Sequence, residues 1–415
     1  MTTEATTSPA VTYRALVEQV EQVARTIEIA EVAEDDAPTV QKLVASVTRA
    51  LGHVLGLSGG RIYIRQSPHY RLWTTFGSAR AAARGIRVPE SYPPIGQVLR
   101  LGAVFMEAEH PDLDRDLEAQ LGAGAFAVIE VGDGEYLVAF DVTDESTADQ
   151  ALFALSLLRN AINQRIRRER IEEVLREARR IQGSLFPAQS PPFGRFEIAG
   201  RSVPLETVGG DFFDYIPVSD KILGLAIADV SGHGLPAALQ VRDVYIGLRM
   251  GMARDFKMVR TVERLNQIIH QSAVSPRFVS MFYGELETDG SFLYVNAGHP
   301  PPFHLAVDDT VRDLEEGGPL LGPLPRATYH RGYVRLVPGD VLVFHTDGIT
   351  DAVRGGGRGF EGEPYGRERL VAATRRHRHL GAAELLRALF EDLEEFGGRE
   401  ANDDRTLVVV KLAEG

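Results

Sequence analysis

The spacing of hydrophobic positions changes several times along the chain, and each change marks an element. Tyr13, Leu16, Val20, Val23, Ile27 and Ala30 recur at alternating spacings of three and four, which predicts a helix with one apolar stripe. The stripe is short, so its cover is either the helix's own domain or a second chain. Val40 to Leu55 again reads as helix, whereas Arg61 to Arg65, Gly124 to Val131 and Glu135 to Phe140 read as strands between turn signals. From Ala148 to Leu185 there is no Gly or Pro before Gly183. Leu155, Leu158, Ile162 and Ile166 form one stripe there, and Ile171, Leu175, Ala178, Ile181 and Leu185 form another, offset around the charged run Arg165 to Glu173. That phase shift predicts a parallel dimeric coiled-coil connector, locally unwound at the break. A single long helix joining two domains is the alternative.

After the connector, strand-like runs (Leu223 to Ala228, Phe292 to Asn296, Val341 to Phe344, Leu407 to Val410) accompany two one-sided helices, Pro236 to Ala253 and Thr261 to Ala273. The expected class is α+β. The expected organisation is a Thr/Ser-rich tail and helix (1–32), a small α+β domain (33–147), the helical linker (148–186) and a larger C-terminal domain (187–415).

Composition narrows the function. The 415 residues, 44% hydrophobic and 25% charged, suffice for two cores. A net charge of −13 without a dominant basic tract argues against nucleic acid as a partner. Zero Cys excludes disulfides and thiolate metal sites. No apolar run approaches the roughly 20 residues that span a bilayer, and the opening Met-Thr-Thr-Glu has no basic region followed by an apolar core. A cytoplasmic protein without a membrane segment is the expectation.

The chemistry lies in four aspartate-bearing segments at junctions between β-formers and turn residues: Val208 to Asp214, Ala228 to Gly234, His345 to Asp351 and Asn402 to Thr406. One such Asp is usually a turn or cap residue. Together they read as an all-oxygen site for Mg²⁺ or Mn²⁺. Asp229 ends a strand and precedes Ser-Gly-His-Gly, which makes it the best candidate to bridge two ions. Two such ions can clamp a phosphoryl group and acidify a water for attack on phosphorus.

Ile181-Gln-Gly-Ser-Leu-Phe-Pro187, Gly209-Gly-Asp-Phe-Phe-Asp214, Asp229-Val-Ser-Gly-His-Gly234, Asn296-Ala-Gly-His-Pro-Pro-Pro302, Asp347-Gly-Ile-Thr-Asp351 and Asp403-Asp-Arg-Thr406 occur in that order. Over about 185 to 413 the chain resembles SpoIIE/RsbU-type members of the metal-dependent type 2C serine/threonine phosphatases. The resemblance implies an αββα sandwich, two Mn²⁺ or Mg²⁺ ions, and ligands from Asp211, Asp229, the Val230 carbonyl, Asp347 and Asp403. Asp211 would bind directly or through water. Asp214 and Asp351 stand equally as outer-sphere or third-metal groups and as caps. The resemblance further implies a phosphorylated STAS-type anti-sigma-factor antagonist as substrate, and a helix pair after Asp229 acting as a switch. Glu206 stands near the place where better-known eukaryotic relatives carry a phosphate-binding arginine, and Ser231 where they carry a histidine, so His233 is open as either a proton donor or a loop residue.

Residues 33–147, through Pro94-Ile-Gly-Gln-Val-Leu-Arg-Leu-Gly-Ala-Val-Phe105 above all, resemble GAF sensory domains. The resemblance implies a small ligand or upstream partner, or a purely dimerising role; a Cys-linked bilin is excluded. Two competing functions remain in view. Gly209-Gly-Asp-Phe-Phe is superficially similar to the diguanylate cyclase signature but has Phe212 at its acidic fourth position, and a degenerate phosphatase could serve as a phosphoprotein-binding scaffold.

Overall fold

The computed structural model describes residues 12–29, 39–78, 85–143, 148–252, 257–272, 278–354, 362–397 and 402–413. The Thr/Ser-rich start, the Tyr13 side chain, Ala30, Ala253 and Ala273 lie outside that set. The chain divides into two units, 1–173 and 174–415, a boundary inside the long helix rather than at 147/148 or 186/187.

In the first unit, helices α1 (Thr12–Ile29) and α2 (Thr39–Leu55) precede strands β1 (Leu57–Gln66), β2 (His69–Gly77) and β3 (Arg87–Pro89). Helix α3 (Pro93–Leu101), β4 (Ala103–Met106), α4 (Arg115–Leu121), β5 (Phe126–Val131), β6 (Tyr136–Val142) and α5 (Ala148–Gly183) follow. The six strands form an antiparallel sheet in the order β3-β2-β1-β6-β5-β4. Alternation along β5 sends Ala127 and Ile129 to one face and Phe126 and Val128 to the other. The first face is covered by Leu16, Val20 and Ile27 of α1, Val44 and Val47 of α2, and Leu155, Leu158 and Ile162 of α5. The early heptad stripe is therefore covered by its own domain.

Helix α5 corrects the connector as first drawn. Its first stripe, through Ile166, is core of the first unit, not a coiled-coil seam. From Arg167 to Ile181 no residue is buried, and Ile171, Val174 and Ile181 are more than half exposed at 61%, 59% and 54%. The phase break marks where the helix leaves the core.

The second unit contains β7 (Phe196–Val203), β8 (Asp211–Ser219), β9 (Ile222–Val230), α6 (Leu235–Met252), α7 (Met258–Gln271), β10 (Val279–Glu287), β11 (Ser291–Ala297), β12 (Phe303–Leu305), β13 (Val311–Asp313) and β14 (Gly317–Gly318). It continues through β15 (Gly332–Arg335), β16 (Val341–His345), the single turn α8 (Asp347–Thr350), α9 (Gly366–His377), α10 (Ala382–Gly397) and β17 (Arg405–Leu412). One sheet runs β14-β11-β10-β9-β8 with β15 beside β11, and the other runs β13-β12-β16-β17-β7. Phe213, Leu225, Phe282 and Phe292 meet Leu342, Phe344, Val408 and Val410 between the sheets. Alternate residues face outward: Val241, Val244 and Leu265 of α6 and α7 cover Ala228 and Met281 on one side, and Leu385 and Leu389 of α10 cover Val343 and Val409 on the other. The result is the expected αββα sandwich.

Candidate metal centre

The aspartates come together because strand ends from both sheets reach the same end of the sandwich. Asp211 opens β8 directly opposite Asp229 on β9, and Asp229 lies opposite Ser280 on β10. Residues opposite one another share a sheet face. From the other sheet, Asp347 follows β16 and Asp403 precedes β17.

Asp211 is 3% exposed. Its Oδ2 accepts hydrogen bonds from the Thr346 hydroxyl at 2.8 Å and the Thr406 hydroxyl at 2.6 Å. Burial, and next the charge of Asp229, lift its pKa well above the ordinary range, against the pull of these hydroxyls. Asp229 is pushed up to about 7 by burial first, then by Asp347, Asp403 and Asp404. Asp347 is raised by burial, then Asp403 and Asp351; Asp403 is raised by burial, against the Asp404 N–H that its Oδ1 accepts. Each carboxylate is thus felt by another. The Val230 N–H donates to the Gly210 carbonyl at 3.1 Å, and a Cβ on Gly210 would sit 2.6 Å from the Val230 carbonyl oxygen. Glycine there lets the backbone of β9 approach.

Asp404, which the motif reading passed over for its neighbour, holds the loop before β8. Its Oδ1 accepts the Leu205 N–H at 2.7 Å, and its Oδ2 accepts the Gly210 N–H at 2.6 Å and the Asp211 N–H at 3.3 Å. A Cβ on Gly209 would lie 2.3 Å from that carboxylate, so glycine is required by proximity.

Other candidates fall outside the cluster. Asp214 is 2% exposed and receives both guanidinium hydrogen bonds of Arg249 on α6, at 3.0 and 3.1 Å; it is an ion-pair anchor rather than an outer-sphere group. Asp351 is exposed and ends the α8 turn, its N–H on the Asp347 carbonyl at 2.7 Å, while its charge reaches Asp347 and Asp403. His233 is exposed and bonds the Glu206 carboxylate through Nδ1 at 2.8 Å, not loop carbonyls. His299 is buried, takes its N–H to the Asn296 side chain at 2.7 Å and meets the Ser280 hydroxyl through Nδ1 at 2.8 Å. Burial drives its pKa to about 3, so it is neutral and shapes the turn after β11.

No three His, Asp or Glu side chains among the described residues already converge as a closed metal cage. The donor chemistry nonetheless fits a hard dication: carboxylates and a carbonyl, mutually destabilised in the charged form, with no sulfur or imidazole among them. Their clustered charge is set by the strand ends that carry them.

Residues 219–413 match the family described as Stage II sporulation protein E (SpoIIE); Asp229, Asp347 and Asp403 lie inside this range, and Asp211 outside it. Phosphoserine phosphatase RsbU of Bacillus subtilis (strain 168) is 27% identical over 245 residues, 59% of this chain and 71% of that protein. Protein IcfG of Synechocystis sp. (strain ATCC 27184 / PCC 6803 / Kazusa) is 28% identical over 226 residues, 48% of this chain but 35% of IcfG, so the chain spans about a third of that relative. The solved SiaA-PP2C domain of Pseudomonas aeruginosa superposes with a TM-score of 0.51 at 21% identity, covering 59% of this chain and 98% of that domain. That likeness shows the fold.

Proposed function

We propose that this chain, which belongs to the SpoIIE family of PP2C-type serine/threonine phosphatases through residues 219–413, uses Mn²⁺ or Mg²⁺ to remove phosphate from a Ser or Thr of a STAS-type anti-sigma-factor antagonist. The observation that carries the reading is the meeting of aspartates from both sheets at one end of the sandwich, Asp211 opposite Asp229 with Asp347 and Asp403 at the neighbouring strand ends; burial and these charges push Asp229 up to about 7, an arrangement that suits a cation. Bound dications supply charge neutralisation at the phosphoryl oxygens and acidify water near neutral pH.

The protein's part is positioning. Asp229, Asp347, Asp403 and the Val230 carbonyl would hold the ions, and Asp211, its Oδ2 bonded by Thr346 and Thr406, would join them directly or through water. Asp404 fixes the backbone that delivers Asp211. Glu206, paired with His233, stands near the place where the eukaryotic relatives carry an arginine, so phosphate would be held mainly by the ions and the Ser or Thr alkoxide would leave without a dedicated protein acid.

The first unit is read as a GAF-like sensor acting through α5. Its exposed stripe (Ile171, Val174, Ile181) supports pairing with a second copy over that half of the helix only. Insertions of one or two residues within Arg167 to Arg170 turn the helix about 100° each and should uncouple control, whereas seven should preserve it. A degenerate scaffold rests on the open arrangement of the cluster. Manganese-dependent phosphate release from phosphorylated STAS proteins, alongside p-nitrophenyl phosphate, separates the readings. An intact, metal-saturated chain that hydrolyses neither would sink the enzyme reading.

A further inference from the structure

The Ile181 to Pro187 motif carries no part of the chemistry above, yet the structure gives it a direct hold on the site. Gln182 is the first buried side chain after the exposed run from Arg167 to Ile181, at 7% exposure. Its carboxamide holds both backbone polar groups of one residue: Nε2 donates to the Gly209 carbonyl at 2.6 Å, and Oε1 accepts the Gly209 N–H at 3.2 Å. Gly209 lies two residues before Asp211. Three residues beyond the clamp, Leu185 packs on the core beneath α6 and α7. Phe186 then sets its ring 6.3 Å from Phe212 and 5.5 Å from Phe213, the two residues after Asp211. The last turn of α5 and the residues after it therefore bracket Asp211 from both sides.

Opposing restraints meet on this loop. Gln182 holds Gly209 from α5, while Asp404 holds Gly210 and Asp211 from the β17 side. A cavity of about 320 Å³ lies alongside, lined by Gln182, Phe186, Ser202, Pro204 and Asp211 among others.

We infer that Gln182 is a positioning residue for the metal centre: its amide sets the placement of Asp211, and movement of the α5 end acts on metal affinity through that one bonded pair. The inference rests on the proposed metal site and deepens it by naming a point at which α5 is coupled to the site. Buried amide to backbone pairs of this kind are costly to leave unmade, and partners that orient metal ligands typically carry a ten- to hundredfold effect on affinity.

The test compares the full chain with Gln182→Met, which keeps length and volume but removes both hydrogen bonds. Calorimetric Mn²⁺ affinity should weaken roughly tenfold, and the Mn²⁺ concentration for half-maximal p-nitrophenyl phosphate turnover should rise in step. The turnover at saturating Mn²⁺ should fall by a smaller factor than the affinity, since no ligand has been removed. A general packing defect would instead lower turnover and melting temperature with metal affinity intact. Unchanged Mn²⁺ affinity in a folded Gln182→Met chain overturns the inference while leaving the enzyme reading untouched. Amide hydrogen exchange at Gly209 reads the clamp without activity. It should be strongly protected in the unmodified chain, and fast exchange there overturns the proposal even if the variant fails to fold. Absence of Mn²⁺ binding in the unmodified chain is the separate result that defeats the parent reading.

Discussion

Both units bury carboxylates, but they are partnered differently. In the first unit Asp141 meets the guanidinium of Arg61, itself 2% exposed. Burial raises the Asp141 carboxyl and Arg61 pulls it back down. Glu130 meets Arg159 and also accepts the Gly134 N–H. In the second unit Asp211, Asp229, Asp347 and Asp403 each have another carboxylate among the influences that raise or surround them. A buried charge with its countercharge built in serves the fold. A cluster without one is held against its own repulsion and points to a countercharge from outside.

The sharpest way to break this contrast is to neutralise each kind of site. Asp347→Asn, and likewise Asp229→Asn or Asp403→Asn, should lower Mn²⁺-dependent phosphatase activity by orders of magnitude while the protein stays folded by circular dichroism. Near-normal turnover in Asp347→Asn would remove it from the centre. In the first unit the effect should fall on stability instead. Arg61→Met leaves Asp141 without its partner and should cost that unit about 3 kcal/mol, seen as an earlier calorimetric transition with Mn²⁺ affinity unchanged.

A smaller and pH-dependent effect sharpens the comparison. Asp229 titrates near 7 when folded and near 3.8 when unfolded. The folded state thus holds the proton more tightly, so this group's contribution is full below about 3.8 and drains away as pH rises toward 7. Without metal, Asp229→Asn should raise the melting temperature by a few degrees at pH 8 and change it little at about pH 3.5. An equal shift at both pH values would mean that charge repulsion is not the cause. The smallest expected effect is at His233, exposed and paired with Glu206. His233→Ala should slow p-nitrophenyl phosphate turnover severalfold at most, and a loss matching that of Asp347→Asn would make it the proton donor.

The sequence made the aspartates visible because each sits where a strand ends in a turn, a local pattern. Asp404 was hidden for the opposite reason. Beside Asp403 it is chemically identical, and what separates them is a set of amides nearly two hundred residues earlier, at Leu205, Gly210 and Asp211. Thr346 and Thr406 were passed over likewise, although both stand within the aspartate segments. The sandwich was legible from strand runs such as Val341 to Phe344, whose alternate residues face opposite cores. The break in α5 was also visible, but a stripe does not say what covers it. Its first half packs into the first unit's core, whereas no described residue from Arg167 to Ile181 is buried, and periodicity alone cannot tell these apart.

The place of β17 in its sheet has a consequence for how the protein is made. It lies between β16 and β7, pairing Leu407 with both His345 and Arg201, so β7 must wait some two hundred residues for its neighbour to be synthesised. Pairing at that range is slow to form. The same strand brings Asp403 and Asp404 with it, and the sheet closes in the event that supplies the last carboxylates. A nascent or truncated chain ending before residue 402 would have neither a completed sheet nor these ligands, so maturation and competence arrive together.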